Sequence, residues 1–180
     1  MKVLTSSRLR LRQLTIKDTN FIVELLNDPE WLKYIGDRDV KNVQDALFYI
    51  QQGPQVMYQQ HDMGLLLVES LAQQQPIGLC GLLKRIELPH ADLGFAFLPQ
   101  YRKQGFALEA AKLVLADVYE RNLTEKVLAI TSVDNHKSIR LLKKLGFRFK
   151  GLIRLSKASA DETTLFEWIT QTINNTNPHR

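Results

Sequence analysis

Residues 95–110 constrain the fold more than any other part of the chain, because they combine an apolar segment, a basic loop and a helix start. An apolar strand is predicted before Pro99, which breaks it, and a long apolar helix is predicted from Gly105. The first N–H groups of a helix lack partners inside the helix, and the helix dipole makes this end partly positive. Glycine lets a large anion approach the backbone closely, and Arg102 and Lys103 add positive charge. The junction is therefore either an anion site, typical of phosphate binding, or an ordinary turn between a strand and a helix.

Length and composition predict one soluble domain. The chain has 180 residues, of which 44% are hydrophobic and 24% are charged, a balance typical of a globular protein with a sizeable core. No linker or repeat divides it, so we expect a single domain over residues 1–180, with its core at about 5–170. No segment reaches the roughly 20 apolar residues of a membrane span, and the first residues lack the apolar region of a secretory signal. We therefore expect a cytoplasmic protein without a membrane partner.

The cysteine and histidine content argues against disulfide and metal chemistry. Cys80 has no second cysteine to pair with and lies in an apolar run, so we expect a buried structural thiol. The histidines lack the spacing of metal ligands, and no metal is predicted. The formal net charge of +5 suits either a small anionic ligand or nucleic acid.

Two short helices are predicted near the N-terminus, and three aromatic residues lie in or beside them. Residues 8–14 alternate between polar side chains and leucine, which predicts a half-buried strand. Thr15 with Asp18 predicts the start of a first helix, and Asn42 the start of a second helix that stops at Gly53. Helices placed here often form a wall beside a site. The aromatic side chains either line an acceptor pocket or belong to the core (Trp31, Tyr34 and Tyr49).

The rest of the chain predicts a mixed sheet. Short turns join three apolar segments, which predicts an antiparallel meander (64–71, 76–88 and 91–98). The helix from Gly105 leads to a strong strand at 126–133. A strand–helix–strand crossover of this kind predicts that the last strand of the meander and strand 126–133 are parallel. A helix from Asn135 and two final strands complete the pattern.

A second motif, later in the chain, narrows the interpretation of the junction at Gly105 when the two are taken together. Residues 99–107 have the pattern Pro-x-Tyr-Arg-x-x-Gly-x-Ala, and residues 135–147 have the pattern Asn-x-x-Ser-x-x-x-Leu-x-Lys-Leu-Gly-Phe. In this order the two motifs resemble the GNAT superfamily of acyl-CoA-dependent N-acyltransferases, in particular the branch of ribosomal-protein-alanine N-acetyltransferases. Residues 7–14 and 34–36 resemble the N-terminal pattern of that branch. The resemblance implies an α/β (α+β) fold: a mixed, mostly antiparallel sheet of about six or seven strands with a splayed parallel pair, flanked by about four helices.

The resemblance also implies acetyl-CoA as co-substrate. In the family, backbone N–H groups of the Arg-x-x-Gly-x-Ala loop hold the CoA pyrophosphate, the exposed backbone of the preceding strand pairs with the pantetheine amides, and an asparagine binds the CoA arm. Ala107 stands where many members have a second glycine. The matching positions are Arg102, Lys103, Gln104, Gly105, Phe106 and Ala107 in the loop, Phe97 and Leu98 in the strand, and Asn135 and Ser138 in the second motif.

The implied reaction is direct attack of an acceptor amine on the thioester, without a covalent enzyme intermediate. Many GNAT enzymes carry a tyrosine general acid where this chain has Leu142, which leaves Ser138 as the nearest candidate. Its counterpart in this branch is a serine that bonds the thioester sulfur or protonates the thiolate. No general base stands out. Asp92 and Glu87 lie near the central strand and are either bases or surface carboxylates, and a water relay is an alternative.

Three functions follow from these features. The first is acetyl transfer from acetyl-CoA to a primary amine of a protein N-terminus or a small molecule. Trp31 and Tyr34 would line the acceptor pocket, and the enzyme would be a monomer or a homodimer. The second is a catalytically silent CoA-binding sensor, because the tyrosine is missing. The third is an RNA- or ribosome-binding module, although a solvated helix face or contacts to the CoA 3′-phosphate also explain its basic residues (Lys137, Arg140, Lys143, Lys144, Arg148 and Lys150).

Overall fold

A single mixed sheet organises the computed structural model, which describes residues 2–155 and 162–170. Its eight strands lie in the order β1-β2-β3-β4-β5-β6-β8-β7. The extra strand relative to the expected six or seven is β1, two residues that pair antiparallel with β2 at the edge of the sheet. The strands are β1 (Leu4–Thr5), β2 (Leu9–Arg12), β3 (Leu65–Ser70), β4 (Gln75–Leu83), β5 (Asp92–Phe97), β6 (Lys126–Ser132), β7 (Arg148–Ile153) and β8 (Thr163–Ile169).

Six α-helices flank the sheet within the described residues, where the sequence predicted about four. Pro29 and Pro54 end one predicted helix each, but both also stand at the first position of another helix, where proline is well tolerated. The helices missed by prediction are α2 and α4. The helices are α1 (Thr19–Leu26), α2 (Pro29–Tyr34), α3 (Val43–Gln52), α4 (Pro54–His61), α5 (Phe106–Glu120) and α6 (His136–Lys144).

The helix starts follow from local capping chemistry. Thr15 and Asp18 form the predicted capping box, around a short 3-10 turn that leads directly into α1. Asn42 caps α3, its side-chain oxygen accepting from the N–H groups of Gln44 and Asp45 at 2.9 and 3.0 Å. Both predicted helix starts are confirmed. They could be predicted because each cap depends on residues only two or three positions apart.

Strands β5 and β6 form the predicted parallel pair and then separate. Their register pairs Asp92 with Leu128, and the N–H of Leu128 donates to the carbonyl of Ala91 at 2.9 Å. No further β5–β6 pair is present among the described residues, whereas β6 pairs with β8 from Lys126 to Ser132. The two strands therefore diverge toward their C-terminal ends, which confirms the predicted splay.

The sheet is covered on both faces. Leu66 and Leu82 point toward Val114 of α5, whereas the other face lies beneath the N-terminal helices, where the Tyr58 hydroxyl of α4 donates to the carbonyl of Leu65. Cys80 is fully buried, and burial raises the pKa of its thiol, which confirms a structural cysteine. Among residues 2–155 and 162–170, no helix has the length and apolar character to cross a membrane.

Candidate active site

A cavity of about 1060 Å³ opens where β5 and β6 separate. It extends along β5 from Asp92 to the loop before α5, and its walls come from the N-terminal helices on one side and from α6 on the other. Pockets for small ligands typically have volumes of about 300–1,000 Å³. The splay therefore provides space for a large ligand, or for two ligands that meet end to end.

The loop before α5 presents unpaired backbone donors to this cavity. Gly105 caps α5 with φ +84°, a conformation that favours glycine, and Lys103 also has a positive φ of 60°. No acceptor among the described residues binds the backbone N–H groups from Lys103 to Ala107. Lys103, Gly105, Phe106 and Ala107 line the cavity. Successive free N–H groups at a helix start are the chemistry of an anion site.

Arg8, immediately before β2, holds this loop in place. Its Nη1 donates to the carbonyl of Gln104 at 3.1 Å, its Nε donates to Glu109 at 2.7 Å, and its guanidinium lies 4.5 Å from the ring centre of Phe106. The Ser6 hydroxyl also donates to Glu109 at 2.6 Å. Partial burial opposes ionisation of Glu109, but the hydrogen bonds from Ser6 and Arg8 lower its pKa. Sequence reasoning missed Arg8, which it placed only on an alternating strand.

Arg102 connects the loop to α2 instead of offering an unpaired charge. Its Nε donates to the carbonyl of Phe97 at 2.9 Å, its Nη2 is ion-paired with Asp28, and its Nη1 lies 3.4 Å from Glu30. The backbone N–H of Arg102 already donates to Pro99 at 3.2 Å. Lys103 lines the cavity and forms no ion pair in the described part of the chain, so its charge is available to an anion.

The backbone of β5 also faces the splay. The N–H of Leu98 donates to the carbonyl of Ile77 at 3.0 Å, so this residue is paired with β4. Because hydrogen-bonded pairs alternate along an antiparallel ladder, Phe95 and Phe97 direct their N–H and carbonyl groups away from β4. The Phe97 carbonyl receives Arg102, which leaves both groups of Phe95 and the N–H of Phe97 at the cleft. The structure thus differs from the sequence prediction, in which Leu98 rather than Phe95 exposes its backbone.

The second motif also lines the cavity. Asn135 caps α6, its Oδ1 accepting from the backbone N–H of Ser138 at 3.2 Å, and both residues line the cavity. The Ser138 side chain is half-buried, and its hydroxyl has no partner among the residues that the structure describes. Leu142 is buried in the same wall. The site thus contains an available hydroxyl at Ser138 and an apolar side chain at the tyrosine position.

Asp92 lies in the cavity, far along β5 from the loop. Its side chain is only 1% exposed, and Arg85 Nε donates to both carboxylate oxygens at 2.9 and 3.0 Å. Burial raises the pKa of Asp92, although Arg85 opposes that shift. Glu87 is exposed and does not line the cavity. Of the two candidate carboxylates, the structure therefore brings Asp92 into the site, and the alternative that Asp92 is a surface carboxylate is wrong.

The aromatic residues of the N-terminal helices form one wall. Trp31, Tyr34 and Tyr49 all line the cavity. Trp31 is also part of the hydrophobic core, and its indole Nε1 is buried without a partner in the described residues. Tyr34 is half-buried, and its hydroxyl accepts from Lys33 at 3.0 Å. Core and pocket are therefore compatible roles for Trp31.

Some basic residues of α6 and β7 line the cavity, and others form ion pairs. Lys137, Arg140 and Lys144 line the cavity, but Lys137 is paired with Glu30. Lys150 lies 3.5 Å from Glu167. Within the described ranges, no group of three or more histidine, cysteine or acidic residues could hold a metal ion.

Comparisons with known proteins agree with this geometry. Residues 8–148 match the family model described as "Acetyltransferase (GNAT) domain". The sequence is 27% identical over 154 residues to an uncharacterised N-acetyltransferase of Bacillus subtilis, YoaA, covering 84% of this chain and 86% of that protein. The fold is similar to a ribosomal-protein-S5-alanine acetyltransferase from Vibrio fischeri (TM-score 0.78, 15% identity, 94% and 97% covered). It is also similar to the microcin C7 self-immunity acetyltransferase MccE, solved in complex with acetyl-CoA and AMP (TM-score 0.78, 15% identity, 91% and 93% covered).

Proposed function

The chain belongs to the GNAT acetyltransferase family, and we propose that it transfers an acetyl group from acetyl-CoA to a primary amine by direct attack in a ternary complex. The observation that carries this proposal is the cavity that joins the free N–H groups before α5 to Asp92 through the splay of β5 and β6. A donor held at the loop and an acceptor held near Asp92 can meet within one continuous space.

The donor half of the cavity has groups suited to each part of acetyl-CoA. The N–H groups of residues 103–107 suit the pyrophosphate, with Lys103 as counter-charge. The free backbone of Phe95 and Phe97 suits the pantetheine amides, and Asn135 borders the same channel. Arg140 and Lys144 are the basic residues available for the 3′-phosphate. Arg102 supports the loop through Asp28 rather than through a direct contact with the donor.

The chemistry requires two proton movements. The amine nitrogen attacks the thioester carbon, the C–N bond forms, the C–S bond breaks, and the amine loses a proton while the thiolate gains one. We propose that the hydroxyl of Ser138 donates the proton to the thiolate, because Ser138 lines the cavity and its hydroxyl has no described partner. We propose that Asp92 accepts the proton of the amine, directly or through water. A carboxylate whose pKa is raised by burial is a better base near neutral pH.

An α-amine suits this site better than a lysine side chain. With pKa values of about 7.7 and 10.4, roughly a sixth of an α-amine is neutral at pH 7, against less than a thousandth of a lysine. Asp92 is engaged by Arg85 and is therefore a modest base. The acceptor we propose is accordingly an α-amine of a small molecule or of a protein N-terminus.

Thiol release with a panel of amines tests this function. The protein is incubated with acetyl-CoA and with amino acids, peptides, polyamines and amino sugars, and released CoA is detected with a thiol reagent. The buried Cys80 is the only cysteine of the chain and should add little background. We expect release with at least one α-amine and a loss of about 10²-fold or more in kcat in Ser138→Ala with acetyl-CoA affinity retained.

A CoA-binding sensor is the second candidate, and the buried Leu142 at the tyrosine position favours it. Tight acetyl-CoA binding without thiol release on any amine would establish the sensor and overturn the enzyme. We also propose that the chain acts as one domain over residues 1–180, because the sheet extends from β1 to β8, and as a monomer or homodimer.

A further inference from the structure

We propose that the acceptor carries an anionic group, a carboxylate or a phosphate, that binds between Arg38, Lys84 and Arg85 at the end of the cavity opposite the donor loop. This inference rests on the proposed function and names the substrate class of the same site. The three cations come from two separate parts of the chain, the segment after α2 and the segment after β4, and all three line the cavity.

The fold brings these cations to the acceptor side of the sheet. Leu83, the last residue of β4, pairs with Asp92, the first residue of β5, and Lys84 and Arg85 follow immediately. Leu83 and Asp92 lie in the cavity wall beneath the N-terminal helices. Tyr49 of α3 lies near this group. Burial raises the pKa of its phenol, while the positive charges of Arg38 and Arg85 oppose the shift.

The positive charge at this end of the cavity exceeds the negative charge, because Asp92 pairs with Arg85 alone. Of the described residues, Arg38 forms no ion pair, and Lys84 makes only a 3.4 Å contact with the carbonyl of Pro89. Arg85 contacts Asp92 through Nε alone, which leaves its Nη1 and Nη2 donors for another acceptor. The lining at this end therefore has three cations and one carboxylate.

Glu87 lies close enough to Asp92 to raise its pKa but is exposed and outside the lining, and the other carboxylates near the cavity are paired elsewhere. Asp28 and Glu30 line its other part and are paired with Arg102 and Lys137. Asp37 is exposed, lies outside the lining and pairs with Lys41 at 2.8 Å. Arg38 and Lys84 are exposed, and Arg85 is half-buried beside Asp92. An anionic ligand group between them would gain charge-assisted hydrogen bonds from donors that the chain itself leaves open.

The spacing further restricts the acceptor. Arg85 touches the carboxylate that we assign as the base, so the anionic group and the amine must lie only a few bonds apart. α-Amino acids, short aminoalkyl phosphates and peptides with an acidic residue near the N-terminus have this arrangement. Polyamines and uncharged amino sugars lack it.

Matched pairs of acceptors test the inference. Each pair differs only in charge: an amino acid and its amide, an aminoalkyl phosphate and its alcohol, and a peptide with Asp or Asn after its first residue. We expect about tenfold or greater preference in kcat/KM for the anionic member. The pair with the highest kcat/KM shows whether a free small molecule or a protein N-terminus supplies the anion.

Variants link the preference to the cations. Arg38→Gln and Lys84→Gln should lower the preference, mainly through KM, and Arg38→Glu should reverse it, with CoA affinity unchanged. Lys112→Gln, on the exposed face of α5 and outside the cavity, is the matched control and should keep the preference. Equal kcat/KM within every pair, or a preference that survives all three substitutions, overturns the inference while leaving acetyl transfer intact. No thiol release from any amine instead overturns the proposed function itself.

Discussion

The anion site at the start of α5 can be tested by changing the charge at one position without changing its bulk. Gly105 has φ +84°, and a Cβ built there would approach only Arg8, at 3.4 Å from Nη2. Asn and Asp are similar in size, and both tolerate the left-handed conformation better than other non-glycine residues. Gly105→Asn and Gly105→Asp should therefore carry nearly the same backbone strain and block the loop to nearly the same extent.

The difference between these two variants isolates the electrostatic contribution. A carboxylate at this position would lie about 6 Å from a phosphate bound at the helix start, and an effective dielectric constant between 20 and 80 gives a repulsion of about 0.7–2.8 kcal/mol per phosphate charge. A pyrophosphate carries about two such charges, which predicts at least about tenfold weaker binding for Gly105→Asp than for Gly105→Asn. Arg8 offsets little of this repulsion, because Glu109 already engages it.

Isothermal titration calorimetry with CoA measures this gap. It should shrink as salt is raised from about 0.05 to 0.5 M, because screening weakens the repulsion. 3′-Dephospho-CoA should show the same gap as CoA, since the two share the pyrophosphate. Equal affinities for the two variants, at matched thermal stability, would refute a pyrophosphate site at Gly105.

Three further predictions concern other parts of the molecule. Asp92→Asn should lower kcat/KM by about 10²-fold or more. The unaltered enzyme should lose activity as the pH falls through the pKa of Asp92, which burial raises above the usual aspartate value of about 3.9, and Asp92→Asn should abolish this acidic limb of the pH–rate profile. Glu87→Gln should keep the limb. Asp28→Asn should lower the free energy of unfolding by about 1–3 kcal/mol in urea titrations, because its partner arginine loses a buried counter-charge. The exposed Asp37→Asn should have a much smaller effect, and equal effects would contradict the burial argument. Cys80 should react with thiol reagents only as fast as the protein unfolds, and rapid labelling of the native protein would contradict its burial.

The parts of the fold that sequence could predict depend on neighbouring residues. The capping box of Thr15 with Asp18 and the cap of Asn42 each follow from a preference that acts over a few positions. The parallel pair was also predictable, because the connection through α5 is long and helical. Two helices were missed because Pro29 and Pro54 were interpreted only as stops, although proline is equally suited to a first helical turn.

Contacts between distant residues account for the rest. Arg8 contacts Gln104 and Glu109 across about a hundred positions. In the sequence it is one of three alternating arginines, a pattern that an arginine facing solvent also has. Asp92 became the better candidate base only once the structure showed it to be buried beside Arg85. The exposed backbone of Phe95, by contrast, could have been inferred from the alternation of hydrogen bonds along β5.

Asp28 has a consequence for engineering new acceptor selectivity. Its carboxylate caps α2, accepting from the N–H groups of Glu30 and Trp31 at 3.1 and 3.2 Å, and the same carboxylate anchors Arg102 of the donor loop. The wall that carries Trp31 and Tyr34 and the loop proposed to hold CoA are thus fixed to one another mainly through Asp28, with a longer contact from Arg102 to Glu30. A mutant library that varies α2 should therefore keep Asp28 constant and change residues one turn later, because only then can the acceptor pocket be altered while the donor loop keeps its position.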